Sequence, residues 1–310
     1  MYAQWNLLPL AHLGVLRARG ADVVPFLQGQ LSADLAQLTP ERSLLAGCHN
    51  PQGRVLALMR LLQGEPGEVL ALLPRELVGG IAKRLSGFVL RSKVVLADVS
   101  HEWRIEGLVG PDTAGAGATP PFAAELPQVP GAVVRIRDTW FVRLGAARQR
   151  WLLISPAAAG PVAGLADCAG ADAGSWRRLA VRYGEPEVYA ATSGEFVAQM
   201  LNLDVLGAIA FDKGCYTGQE VIARAHYRGR VKRRLQRFRS ATSAPPAPGD
   251  AAVLTDGRTV RVVEAAAIAD GACEFLAVAP LEAASAEGSA APGTLRLDAT
   301  PLPLPYELPE

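Results

Sequence analysis

The order of apolar and polar positions predicts many short strands and few helices. An unbroken apolar run at 55–62, VLALMRLL, predicts a buried strand, and VLALL at 69–73 predicts its neighbour. The period then changes. Leu77, Ile81 and Leu85 recur every fourth position, which predicts a helix over 75–86. Asp22 predicts the N-cap of a short helix with Val24, Leu27 and Leu31 on one face. Pro25 is tolerated there, because the first turn needs no N–H partner. Strand signals return at 93–99, 132–137, 140–144 and 150–154, and again at 259–268, 273–279 and 294–298. Ser175 predicts the cap of a helix from Trp176 to Tyr183, stopped by Gly184 and Pro186. Ala/Gly/Pro-rich stretches at 110–131 and 155–174 read as loop.

Strands and helices do not alternate in βαβ order, so the predicted fold class is α+β. The clearest linker is SATSAPPAPGD at 240–250. It divides the chain into a region over 1–239, built of several sub-domains, and a small β-barrel or sandwich over 240–310.

Composition narrows the classes of function. The chain has 310 residues and a formal net charge of +1. Two domains suit that length, and any affinity for a polyanion must come from a local patch. The amino terminus lacks a basic leader before an apolar core, and no apolar run approaches the roughly 20 residues that span a bilayer. The expectation is a soluble, cytoplasmic protein with no membrane partner. The cysteines stand at 48, 168, 215 and 273 with no C-x-x-C pair, so no stably bound metal is expected.

Chemistry concentrates in FDKGCYTGQEVIARAHYRGRVKRRL at 211–235. Lys213 and the following arginines would favour a thiolate at Cys215; the plainer reading is a buried thiol packed as a small hydrophobe. KGCYTGQE lacks the order of a phosphate loop. From Arg224 to Arg239 there are eight Lys or Arg, interleaved with His226, Tyr227 and Phe238. That run is either a track for phosphates, RNA included, or a solvated strand face. Cys48-His49 has no accompanying ligand cluster, and Trp176 reads as core or as a ligand contact.

KGCYTGQE at 213–220, with NLD at 202–204 ahead and ARAHYRG at 223–229 behind, resembles the signature of the YgfZ family. FLQGQLSADL at 26–35, NPQGRVLA at 50–57, RSKVVL at 91–96 and PLPYEL at 303–308 extend the resemblance over nearly the whole chain. The family shares its fold with the aminomethyltransferase of glycine cleavage, the T-protein. The resemblance therefore implies an aminomethyltransferase-like folate-binding fold around a central cavity, followed by a C-terminal β-barrel.

It also implies an activity: a folate-binding accessory factor for assembly or repair of iron–sulfur enzymes that supports tRNA methylthiolation. The implied cofactor is tetrahydrofolate or a related folate. The implied partners are iron–sulfur enzymes such as the tRNA methylthiotransferases, with tRNA itself touching 224–239. Cys215 is the implied functional thiol, with Lys213, Gln219 and Glu220 beside it. The implied folate contacts are Trp176, Gln28, Asn50, Arg54, Asn202, Tyr216, Arg224 and Arg228. Ala57 and Leu58 stand where the T-protein carries its carboxylates, and neither moves a proton. Aminomethyl transfer is therefore the second reading, and an RNA-binding module the third. Arg182 stands where the T-protein has its pterin-contacting glutamate, and Leu13 where the family has a second tryptophan.

Overall fold

The computed structural model describes residues 4–309 apart from 112–119, 146–148, 163, 166–167, 171–172, 230 and 282–292. Parts of both predicted loops, 110–131 and 155–174, fall outside the described residues. The remainder contains many strands and few helices, as the pattern predicted. The chain divides into two units. One comprises Met1–Ala46 and Met59–Ala173, and the other Gly47–Leu58 and Gly174–Glu310. No described helix is long and apolar enough to cross a membrane.

Residues of the first unit contribute to two sheets. One has six strands in the order Ala169–Gly170, Asn6–Pro9, Trp103–Val109, Arg150–Pro156, Thr139–Leu144, Val133–Ile136. All its pairs are antiparallel except Asn6–Pro9 with Ala169–Gly170. Rings close its core: Trp5 stacks on Trp151 at 5.5 Å. The indole nitrogen of Trp151 donates to Pro127 O at 2.9 Å, so the core leaves that polar atom satisfied.

The other sheet runs Leu44–His49, Val55–Gln63, Glu68–Pro74, Leu13–Arg19, Val95–Asp98. The predicted strand at 55–62 and its neighbour at 69–73 are therefore present and paired. Helix α1 spans Val23–Gln28 and helix α2 spans Arg75–Ser86. The buried face of α2 is Val78, Ile81 and Leu85, so Val78 takes the place predicted for Leu77. In α1 the buried face is Val23, Phe26 and Leu27, while Val24 is exposed. Asp22 makes no side-chain cap; its carboxylate accepts from Lys93 N at 2.7 Å instead.

The second unit holds the C-terminal sheet, in the order Leu295–Leu297, Ala251–Leu254, Thr259–Ala267, Cys273–Pro280, Arg233–Ser240, Ala299–Leu302. A bulge between Val262 and Glu264 bends its longest strand, and the sheet curls into a half-barrel. Phe238 and Phe275, both fully buried, stack at 5.3 Å in its core. Its strand Arg233–Ser240 precedes the 240–250 segment, which is tied in by Gly249 N to Val262 O at 2.9 Å.

Helix α3 spans Ala173–Tyr183, beginning ahead of Ser175. The Ser175 hydroxyl lies inside the helix and accepts from Arg178. Gly184 stops the helix as predicted, at φ 65°, with Glu185 N donating to Ala180 O and Gly184 N to Val181 O. The C-terminal segment packs there. A Cβ on Gly184 would lie 2.7 Å from the Leu304 and Tyr306 side chains, and the Tyr306 hydroxyl donates to Gly184 O at 2.7 Å. The largest departure is at 219–227. This part of the loaded segment, read as loop and strand, forms helix α4, Gln219–Tyr227.

Candidate functional site

All but one of the expected site residues lie in the second unit, where two short motifs meet. The first motif is the turn between strands Leu44–His49 and Val55–Gln63. Asn50 builds it: its side-chain oxygen accepts from Gln52 N and Arg54 N, each at 3.0 Å. Gly53 completes the turn at φ 71°. The strand beyond then pairs with 193–197, through Val55 N to Phe196 O and Gly194 N to Val55 O, both 2.8 Å. Arg54 spends one donor on Glu195 O and is otherwise exposed.

The second motif is KGCYTGQE. Gly218, at φ 85°, ends its loop and stands at the N-cap of α4. Its backbone presses on the first motif. A Cβ there would lie 2.5 Å from Asn50 O and 3.1 Å from both Gly53 Cα and His49 Cβ. Only a residue without a side chain fits both the space and the left-handed conformation.

Beneath the loop, His49 is 1% exposed. Burial pushes its imidazole down to about 4, against a backbone hydrogen bond at Gly47 that raises it. The Tyr216 ring lies 6.2 Å from the His49 ring, and burial pushes its phenol up to about 12. The Lys213 ammonium sits 5.2 Å from the Tyr216 ring centroid, a cation–π contact. Cys215 is exposed, whereas Cys48 and Cys273 are buried. The core reading of the thiol therefore fits those two cysteines and not Cys215.

Gln219 and Glu220 open α4, where a carboxylate is favoured by the unpaired N–H groups of the first turn. Ile222 anchors the helix inward, and Gln199 Nε2 donates to its carbonyl at 2.7 Å. Val221 lies against Gly53, its Cβ 3.0 Å from where a Gly53 Cβ would stand. Arg224 and Arg228 are exposed. At about 1.5 Å per residue, Arg228 lies roughly 13 Å along the axis from Gln219. The structure thus separates these arginines from the start of the helix.

The NLD motif is a strut. Asn202, at φ 56°, donates from Nδ2 to Leu235 O at 3.0 Å and to the Tyr306 hydroxyl at 3.3 Å. Arg234 reaches Asp204 with two nitrogens, at 3.0 and 2.9 Å, and Gln199 O at 3.1 Å. Both side chains of that pair are under a tenth exposed.

Several expected folate contacts are committed to protein. The Asn202 and Asn50 side chains are engaged as described. Gln28, in the first unit, donates to Asp34 at 2.9 Å and accepts from Leu35 N at 2.7 Å. Trp176 is 4% exposed on α3. Leu13 opens a strand of the first unit, and Arg182 is exposed in the last turn of α3. Ala57 and Leu58 are buried in their strand. The cationic run from 224 to 239 is not one face. Arg234 and Arg237 are paired with Asp204 and Glu274, and Phe238 is core. Arg230 lies outside the described residues. Two ring contacts that no sequence pattern announced are His49 with Tyr216 and Phe211 with His226, the latter stacked at 3.8 Å. The ring residues themselves, F at 211 and H-Y at 226–227, were the available signal.

The fold is that of an aminomethyltransferase. Glycine cleavage system aminomethyltransferase T from Bartonella henselae superposes with a TM-score of 0.70 at 15% identity, covering 90% of this chain and 79% of that one. No protein-family model matches. The tRNA-modifying protein YgfZ of Yersinia pseudotuberculosis is 32% identical over 319 aligned positions, which cover 98% of this chain and 93% of that protein. Its namesake in Colwellia psychrerythraea is 32% identical over 246, covering 77% of this chain and 73% of its own. The chain belongs to the YgfZ family.

Proposed function

We propose that this chain is a folate-binding accessory factor that supports tRNA modification beside iron–sulfur enzymes such as the tRNA methylthiotransferases. The observation that carries the reading is the seating of Gly218 on the Asn50–Gly53 turn, which holds KGCYTGQE against NPQGR with Cys215 exposed. Two relatives bear the name tRNA-modifying protein, and the fold is shared with an aminomethyltransferase. Such a factor acts in the cytoplasm, with the cluster belonging to the client enzyme.

The residues around that contact fit the polar groups of a folate in part. Gln219 and Glu220 match the donor and acceptor edge of a pterin, and Arg54 matches a carboxylate tail. Trp176, Gln28, Asn50 and Asn202 are engaged with protein and contribute support rather than contacts. A folate carries one-carbon units. The residues here bind and orient it, and the buried Ala57 and Leu58 supply no base. Aminomethyl transfer is accordingly the weaker reading.

A deletion strain complemented with the wild-type gene tests the proposal. It should recover both tRNA methylthiolation and iron–sulfur enzyme activity, and calorimetry on the purified protein should show heat with tetrahydrofolate. Normal methylthiolation in the deletion strain would refute the tRNA role. An absence of heat at millimolar folate would refute the cofactor. Ammonia release from an aminomethylated carrier would restore the enzymatic reading.

A further inference from the structure

The C-terminal end of α4 carries a ring cluster that folate binding leaves unused. Phe211 and His226 stack with centroids 3.8 Å apart and planes inclined by 16°. Tyr227 stands edge-on to both, 4.7 Å from His226 and 6.0 Å from Phe211. Tyr227 is 65% exposed, and His226 is exposed as well. Rings of this size are normally buried, because wet apolar surface costs about 25 cal/mol per Å².

The same helix end is cationic. Arg224 precedes Tyr227 by three positions and so shares its side of the helix, Arg228 follows it at the helix cap, and both arginines are exposed. Among the described residues neither guanidinium has an ion-pair partner, in contrast to Arg234 and Arg237. Lys213 follows Phe211 closely; the neighbouring carboxylates are Asp212 and Glu220.

We infer that this patch docks an unpaired stretch of RNA, with bases stacking on Tyr227 and the Phe211–His226 pair, and phosphates meeting Arg224 and Arg228. An acidic peptide would use the arginines and leave the rings wet. A double helix would offer phosphates and hide its base faces. An unpaired strand uses both, which is how sequence-tolerant single-strand binding is built. The choice of RNA over DNA rests on the tRNA-modification reading; the stacking geometry does not.

The test is fluorescence anisotropy with a labelled, unmodified anticodon stem-loop and the full chain. Tyr227→Ala should weaken binding by roughly 5- to 150-fold, since base stacking contributes about 1–3 kcal/mol. Tyr227→Phe should bind like the wild type. Tyr227→Leu keeps apolar volume without a flat ring, so weakening there cannot be put down to a lost fold. Arg224→Gln and Arg228→Gln should each flatten the dependence of log K on log salt by about 0.7. A blunt paired stem should bind more weakly than the stem-loop. Unchanged affinity in Tyr227→Ala, equal binding of stem and stem-loop, or no binding by the wild type would overturn the inference. Calorimetry separates it from the folate reading. Loss of RNA binding with tetrahydrofolate heat retained supports the docking patch. Absence of that heat in the wild type refutes the folate and leaves the RNA result standing.

Discussion

Gly218 lies against Gly53 so closely that a Cβ on the first would stand 3.1 Å from the Cα of the second, and both residues adopt left-handed backbone. Two motifs separated by more than 160 positions are thus joined backbone to backbone. Gly218→Ala meets an immobile carbonyl oxygen, Asn50 O, and a strained φ together. It should destabilise the protein by roughly 2–4 kcal/mol, or displace the loop. Gly53→Ala meets the Val221 side chain and should cost less. Gly214 has open space around it and no positive φ, so Gly214→Ala should stay within about 0.5 kcal/mol. Urea unfolding of the three variants checks that order; equal effects would disprove the close contact.

Cys215→Ser should melt like the wild type and fail to restore tRNA methylthiolation. The thiol is exposed, so its chemistry rather than core packing is what serine removes. Cys48 and Cys273 are poor serine controls, because a hydroxyl would enter an apolar core at a cost of about 1–3 kcal/mol. Their alanine variants, with Cys168→Ser, should complement at matched expression. Full activity of Cys215→Ser would leave Lys213, Gln219 and Glu220 to carry the role.

The Arg234–Asp204 pair is buried, and removing one partner strands the other charge. Asp204→Ala should cost roughly 3–5 kcal/mol. The double variant Asp204→Leu with Arg234→Met should regain most of that loss. It should not regain all, because Gln199 O loses one of its two donors and keeps only Asn202 N. A double variant no more stable than Asp204→Ala would contradict the desolvation argument.

His49 makes stability fall in acid. Its folded value near 4 lies below the ordinary 6.5, so the unfolded chain binds the extra proton between those values. Stability is then full above 6.5 and declines as pH drops towards 4, by about 3 kcal/mol in total. Glu264 acts in the opposite sense. Burial and neighbouring Glu187 push its carboxyl up, and the Tyr189 hydroxyl donates to it. Its contribution is present below the ordinary carboxylate range and is lost as pH rises through the raised value. Denaturant midpoints at several pH values should show the acid slope flattened in His49→Phe and the opposing slope removed in Glu264→Gln. An unchanged acid slope in His49→Phe would place the proton elsewhere.

The sequence by itself determined the class of fold and most of the elements. Apolar runs such as 55–62 and 69–73 became paired strands, and Gly184 stopped its helix, because burial periodicity and left-handed turns are local properties. The motifs KGCYTGQE and NLD were equally legible as strings. Their roles were not. That Asn202 is a strut, that Gly218 seats on Asn50, and that Phe211 stacks on His226 depend on which distant backbone each one meets. The helix at 219–227 was hidden for a related reason. Its inward face is little more than Ile222, held by Gln199 from elsewhere in the chain, so no apolar stripe announces it. Composition likewise showed eight cations in one run, but only tertiary pairing decided which of them are neutralised. Arg234 and Arg237 find carboxylates within the fold, while Arg224 and Arg228 remain exposed.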